Sequence, residues 1–517
     1  MCKCCGSNMN RRTFLGAGAA LAAATGLAGV LPRAAAAQNA WAENLWDPER
    51  PYAVTAKPLR VQPVLLYRVA QPRTQASYKS WGGVQSHEAA AEETGRIEKE
   101  LASIAEQADF PLQVLPVMKA ASVDELAKLE RSKADATILY PASGSGSLLQ
   151  AGMDLPDPVL FVRHRSGPLY YWYEALSVQY LRSDRPDFEA RREGPTPVLS
   201  VHDVVVDDLG ELAWRLRTLH AVHNLLGARV VALGGAQGKY APNAPEKARE
   251  RYGMEIVEVS YDDFAPRLAT ALEDPGTVRC AETWTDRYLA MPGTSFETER
   301  GFVVNAFVLY GLFKELMAEH RAAAFTINNC MSTIMPMSQT TACLSLSLMN
   351  DEGTLALCES DFVVVPPAVL LYYLCGSPVF MHNSTFPHGG LVTCAHCTGP
   401  RRMDGTRYEP ARIVTHYESD YGAAPKVEMP LGTKLSFLNP EYAVGRWVGC
   451  RGEVVDNPFL EICRSQQDER IEGDWKRLLN EVRDSHLLMV YGDCLRELGY
   501  AANRLGVTWD NISDVTA

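Results

Sequence analysis

The alternation of short apolar runs with helical stretches between Leu59 and Arg321 constrains this chain more than any other feature. Residues 61–67 form an apolar run, 88–107 carry helical periodicity, 112–117 read as a strand, 123–131 as a helix and 136–140 as a strand. A parallel sheet wrapped by helices satisfies such a pattern, because each parallel crossover needs a dozen or more residues. A second unit of the same kind starts near Leu199, with a helix over 208–225, strands near 229–233 and 252–260, and a helix over 262–272. Residues 296–321 predict a long helix. Beyond residue 405 the runs at 412–417, 425–430, 433–437 and the Gly-punctuated 445–456 predict a mainly β, barrel-like unit. A helix over 475–483, a strand over 486–491 and a helix over 494–505 close the chain. The expected fold class is α/β: two parallel-sheet domains, at 59–195 and 196–325, then a mixed C-terminal domain at 326–517 with a β-barrel portion. Residues 38–58 read as a lead-in arm.

Two glycine-rich turns follow strands. Pro141-Ala-Ser-Gly-Ser-Gly-Ser147 would lie at the carboxyl edge of a parallel sheet, where such folds bind ligands, although a Gly/Ser loop alone is more often a connector. Gly234-Gly-Ala-Gln-Gly238 lacks the G-x-G-x-x-G spacing and is followed by Tyr240, Pro242 and Pro245, so it reads as a turn at a domain interface.

Composition removes several classes. A chain of 517 residues that is 47% hydrophobic can bury a large core. A formal charge of −12 gives no footing on phosphate backbones, which argues against nucleic acid as a partner. Thirteen cysteines are too sparse for a disulfide scaffold at this length. Residues 1–37 stand apart: they hold Lys3, Arg11, Arg12 and Arg33 and no acid, then an Ala/Gly-rich apolar run, then Ala34-Ala35-Ala36-Ala37. Paired arginines before Phe14-Leu15 resemble a twin-arginine export signal. The apolar run at 16–31 is shorter than the roughly 20 residues of a bilayer span. Passage through the twin-arginine translocase, a periplasmic or other extracytoplasmic location and no stable membrane insertion after signal removal are expected. No later stretch reads as long and apolar enough to span a bilayer.

The polar groups of interest cluster late. In Cys358-Glu359-Ser360-Asp361, two acids sit between apolar segments, and as strand positions i and i+2 they would face one side. Paired carboxylates in apolar surroundings need a cation or a partner; the bland alternative is that Asp361 caps the helix that follows. Cys394-Ala-His396-Cys397 invites zinc, but a ribbon needs a second such pair, which the chain beyond residue 37 lacks. His396 as a single ligand working with distant acids fits better. His382 and His388 read as loop residues on the surface or substrate side. His486 opens a buried strand before Gly492-Asp493, either as a satisfied core residue or as a ligand at a sheet edge. Carboxylates with imidazole suit Mn²⁺, Mg²⁺ or Fe²⁺. A hard cation there would polarise a carbonyl and an adjacent hydroxyl while a carboxylate moved a proton between neighbouring carbons, the chemistry that interconverts aldoses and ketoses.

Cys358-Glu-Ser-Asp361, Ala395-His396-Cys397 and the Ser485-His486 to Asp493 segment, in that order, resemble the L-fucose/L-arabinose isomerase superfamily over roughly residues 59–510. The resemblance implies two Rossmann-like domains and a C-terminal domain with a β-barrel portion. It also implies aldose–ketose isomerisation of a sugar with Mn²⁺ or another divalent cation, and a homo-oligomer, trimer or hexamer. Asp361 is then ligand and proton carrier, His486 a ligand, and Glu359 and His396 complete the metal site. The family places a second acid upstream, whereas no Glu or Asp occurs between His320 and Asp351 here. Asn329 and Thr333 would line the substrate site, and Glu359 or Glu418 would substitute for the acid. Otherwise the chain is a carbohydrate-binding relative without turnover, or, on weaker grounds, another lyase or epimerase.

Overall fold

The computed structural model describes residues 45–75, 83–170, 181–183, 199–441, 445–481 and 484–514. The expected export signal at 1–37 lies outside them. The fold is mixed α/β, with two parallel sheets and a closed antiparallel barrel in the C-terminal region.

The first sheet contains β1 (Leu59–Leu66), β2 (Leu112–Val114), β3 (Met118–Ala120), β4 (Ala136–Pro141), β5 (Pro158–Val162) and β6 (Val204–Val206). Its order is β2-β1-β4-β5-β6, with β3 beside β1, and every pairing is parallel. β4 and β5 are buried at every position, as strands covered on both faces must be. The helix His87–Gln107 packs on this sheet through Ile97, Leu101 and Ile104, and Ser86 Oγ caps it by accepting the Ala89 amide at 3.1 Å. Just past β5, Arg163 is 1% exposed. Its guanidinium binds Glu93 and, at 2.7 Å, Glu100, both on that helix, under the rings of Tyr140, Phe161 and Tyr170. The Gly/Ser loop after β4 serves the fold itself, since Ser145 caps the helix Gly146–Met153 and Ser143 accepts the Arg68 amide at 3.1 Å.

The second sheet contains β7 (Arg229–Leu233), β8 (Glu255–Val259), β10 (Ala324–Ile327) and β11 (Leu355–Leu357), ordered β11-β10-β7-β8 and again wholly parallel; β9 (Thr294–Phe296) leaves to join another sheet. The first sheet therefore runs past residue 195 to Val206. The expected boundary at 325/326 falls inside β10, because the second sheet draws strands from as far as Leu357. The arm contributes to this core: Trp46 is fully buried against Tyr288 and Phe307.

The helix Arg300–His320 is, by length and composition, apolar enough to cross a membrane, contrary to the reading of the sequence. Here 67% of its apolar window is buried, and Phe307, Tyr310 and Phe313 pack into the protein core, which accounts for its composition. The apolar helix Val365–Cys375 is likewise buried, starts with Pro366 and Pro367 in its first turn and ends at Gly376.

The barrel closes through β12 (Phe380–Ser384), β13 (Leu391–His396), β16 (Lys434–Glu441), β17 (Arg446–Asp456), β18 (Ser465–Glu472) and β19 (Leu487–Tyr491), with β14 (Ala411–His416) and β15 (Tyr421–Val427) in a separate small sheet with β9. The ring order is β16-β19-β12-β13-β18-β17, and β17 returns to β16; every contact in the ring is antiparallel. β20 (Thr508–Asn511) adds to β17 in parallel.

Asp351, at the end of the helix Cys343–Asp351, is fully buried and accepts the Arg401 and Arg402 amides at 2.7 and 2.9 Å. Burial pushes its carboxyl up to about 7, against the pull of Arg401 and the two amides. Unfolded, it titrates at about 3.9. The folded state thus binds the extra proton, and the stability linked to it is full below about 4 and lost as pH rises through about 7. Relative to Asp351→Asn, the wild type is expected to lose stability between pH 5 and pH 8. Urea midpoints at the two pH values check this, and a constant difference would contradict it.

Candidate metal centre

The turns after β7 and β11, at the carboxyl edge of the second sheet where such folds bind ligands, meet at Glu359, which reaches His396 and His486 of the barrel. β11 ends at Leu357, and the chain then turns sharply, with Glu359 at φ 61° and Ser360 at φ 47°. Two successive left-handed non-glycine residues cost about 1–2 kcal/mol each. Such strain persists only where the surroundings hold it, and it gathers at functional sites. Here the turn is held by Gln237: its amide donates to Ser360 O at 3.2 Å, its side chain donates to Glu359 O at 2.8 Å, and its carbonyl accepts the Phe362 amide at 2.8 Å.

Because the segment is a left-handed turn and not a strand, Glu359 and Asp361 do not point together. Glu359 faces a gap that it shares with His396, the last residue of β13, and His486, immediately before β19. Each offers one ligand atom, and these atoms all lie within 4.8 Å of one another. Glu359 Oε1 is 3.5 Å from His486 Nε2 and 3.8 Å from His396 Nε2. β12 lies between β13 and β19; Ala395 pairs with Asn383 and Leu487 with His382, so the stagger of the two outer strands brings the end of β13 and the start of β19, and with them His396 and His486, level across β12. His486 is fully buried and His396 is 4% exposed, while the Glu359 side chain is 31% exposed, so the gap opens to solvent on the glutamate side.

Asp361 sits behind His486. Its Oδ2 lies 2.7 Å from His486 Nδ1, and its Oδ1 accepts the amides of Val363 at 3.2 Å and Lys239 at 3.4 Å. The sequence-based expectation of Asp361 as a direct ligand and proton carrier is therefore corrected: the left-handed turn aims it at the back of the imidazole. Nor does its side chain cap the helix Val365–Cys375, which begins after Val364 without a side-chain cap. A carboxylate that receives Nδ1–H fixes the ring and leaves the Nε2 lone pair forward, the usual arrangement behind a metal-binding histidine. His486 Nε2 is buried and makes no hydrogen bond. A buried nitrogen without a hydrogen bond, facing the Glu359 carboxylate at 3.5 Å and a second imidazole, fits a divalent cation. One carboxylate and two imidazoles favour a first-row transition ion over Mg²⁺.

The electrostatics agree with this layout. Burial works against the Glu359 anion, but His396 and His486 outweigh it and hold the carboxyl well below the usual range. Burial opposes protonation of His486, yet Asp361 and Glu359 raise its pKa. For His396 burial prevails over Glu359 and the pKa falls. Thr398 Oγ1 lies 3.0 Å from His396 Nδ1.

Lys239 was not anticipated. Its Nζ donates to Glu359 Oε2 at 2.8 Å. Burial opposes its charge, but Glu359 raises its pKa on balance. It arrives on the Gly234–Gly238 turn, where φ is +80° at Gly234 and a Cβ would meet the Tyr261 ring at 2.4 Å. The usable signal was position: a glycine turn directly after a parallel strand. A lysine competing for Glu359 weakens cation binding, but both side chains are about one-third exposed, so the effect is modest. Lys239→Met is expected to tighten Mn²⁺ binding a few-fold in a chelator competition; weaker binding would show that Lys239 supports the site.

The other expected residues are spread out. Asn329, exposed at φ 52°, and Thr333, half-buried, belong to the π-helical turn that follows β10, beside Cys330, whose Sγ is 3.9 Å from Cys358 Sγ. Glu418 is exposed in the turn after β14, outside the ligand group. His388 is exposed. His382 is corrected from loop to core: it lies on β12, fully buried, and burial pushes its pKa down to about 3.

No protein-family model and no curated protein matches the chain. A solved carbohydrate transporter from Acidothermus cellulolyticus 11B, in complex with myo-inositol, is 11% identical, with 62% of this chain and 89% of that one covered. Its TM-score of 0.14 is too low to bear on this chain.

Proposed function

We propose that the chain is a metal-dependent sugar isomerase-like enzyme that interconverts an aldose and a ketose, acting outside the cytoplasm after twin-arginine export. The observation that carries this reading is the convergence of Glu359, His396 and His486, with His486 Nε2 left without a hydrogen bond. The motif order read from the sequence adds the sugar and Mn²⁺. His396, His486 and Glu359 would hold the cation; when bound, it supplies a Lewis acid for the carbonyl and neighbouring hydroxyl oxygens. Asp361 keeps His486 in one tautomer and orientation. Glu359 is the carboxylate facing the gap, able to take a proton from the carbon beside the carbonyl and return it to its neighbour. Lys239, protonated beside it, offsets negative charge that develops on a substrate oxygen.

A second reading, carbohydrate binding without turnover, is favoured by the absence of an acid between His320 and Asp351 and by the engagement of Asp361 with His486. Metal analysis of the purified protein, followed by a screen of aldoses for ketose formation with Mn²⁺ present, separates the two. Turnover lost in Glu359→Gln supports the enzyme. Sugar binding without turnover supports the second reading. A protein that takes up no divalent ion at this site contradicts the enzyme.

A further inference from the structure

A separate group of soft ligands lies behind the candidate centre. Cys343 opens the helix Cys343–Asp351, Cys397 follows β13 directly, and His416 ends β14. One ligand atom from each lies within 4.8 Å of the other two, and all three residues are buried. Cys463, half-buried in the approach to β18, touches the Cys397 thiol, which also touches that of Cys343, but its sulfur stands outside the close group of three and would have to move in to complete a fourth ligand. The Arg464 amide lies 3.5 Å from Cys397 Sγ. Ser419 Oγ lies 3.3 Å from His416 Nδ1. None of these cysteines forms a disulfide.

We propose that Cys343, Cys397, Cys463 and His416 form a structural zinc site. Three sulfurs and one imidazole are an established tetrahedral set for Zn²⁺, and with Zn–S near 2.3 Å the ligands stand about 3.8 Å apart. The site would be closed, with no place for substrate. The four ligands come from four separate segments, which is why no C-x-x-C pairing in the sequence reveals them. His396 and Cys397 are consecutive: one serves the Glu359 gap and the other the sulfur group. Zinc would therefore pin the end of β13 to β14, to the helix Cys343–Asp351 and to the approach to β18, and so fix where His396 stands. The inference does not depend on the proposed isomerase activity.

The test uses the full chain purified under reducing conditions. Elemental analysis is expected to find one tightly held zinc per chain, kept in His486→Ala and lost in Cys397→Ser and His416→Ala. Replacement of Zn²⁺ by Co²⁺ in the wild type is expected to give an intense thiolate-to-cobalt charge-transfer band and tetrahedral ligand-field bands. This readout remains decisive if the cysteine variants fail to fold. Absence of both zinc and the thiolate band would overturn the site, as would peptide mapping that finds Cys397 joined to Cys463 or Cys343 in a disulfide.

Discussion

His486→Ala is expected to abolish tight divalent-cation binding at the Glu359 gap and to destabilise the fold at the same time. The substitution removes one of three converging ligands, so affinity is expected to fall beyond the roughly 10–100-fold typical for loss of a supporting residue. It also strands Asp361, 1% exposed, whose Oδ2 has lost its partner at 2.7 Å. Leaving a buried carboxylate without its hydrogen-bond donor costs about 1–3 kcal/mol or more. Asp361→Asn is the milder comparison: it keeps the shape but no longer demands Nδ1–H, and about 10–100-fold in affinity is expected to go. Mn²⁺ titration and thermal melts of both variants give the two readouts. A His486→Ala protein that binds Mn²⁺ like the wild type would remove His486 from the ligand set.

Arg163→Ala is expected to be the most destabilising single change in the first sheet. Its guanidinium joins β5 to the helix His87–Gln107 through Glu93 and Glu100, and the Tyr170 hydroxyl donates to Glu93 at 2.6 Å. Alanine leaves Glu93, 4% exposed, without its cation and removes the packing of the guanidinium against three rings. The expected cost is about 3–5 kcal/mol, read as a fall in the urea midpoint. The double variant Arg163→Met, Glu93→Leu is expected to recover much of the loss, because the penalty comes from a stranded charge. Equal destabilisation by the single and double variants would trace the loss to packing instead.

The sheet-and-helix order was legible because parallel strands buried on both faces are continuous apolar runs, as at 136–140 and 229–233, separated by helical periodicity. The barrel was legible only as a class, since its closure depends on β19 sitting between β12 and β16. The domain boundaries were not, because β10 and β11 follow the long helix Arg300–His320, yet β10 pairs with β7 and β11 with β10, in the same sheet. At the site, Glu359, His396 and His486 could be picked out as polar residues bordering apolar runs. The direction of Asp361 could not, because the strand rule fails where two residues adopt positive φ. Lys239 was hidden by reading its glycine turn only as a turn at a domain interface, although the carboxyl-edge rule applied to the Gly/Ser loop of the first sheet applied equally there. The sulfur group was hidden because its members meet only in three dimensions.

The place of β19 in the barrel also sets an order of assembly. Its partners β12 and β16 are made well before it, so each waits with an open edge until the chain has nearly been completed. Pairing between segments so distant in sequence is slow, and exposed edges invite association with other chains. His486 enters on that same late strand. The gap beside Glu359 is therefore completed by the same event that seals the barrel, and a chain stopped before residue 486 would carry both an unpaired edge and an incomplete ligand set.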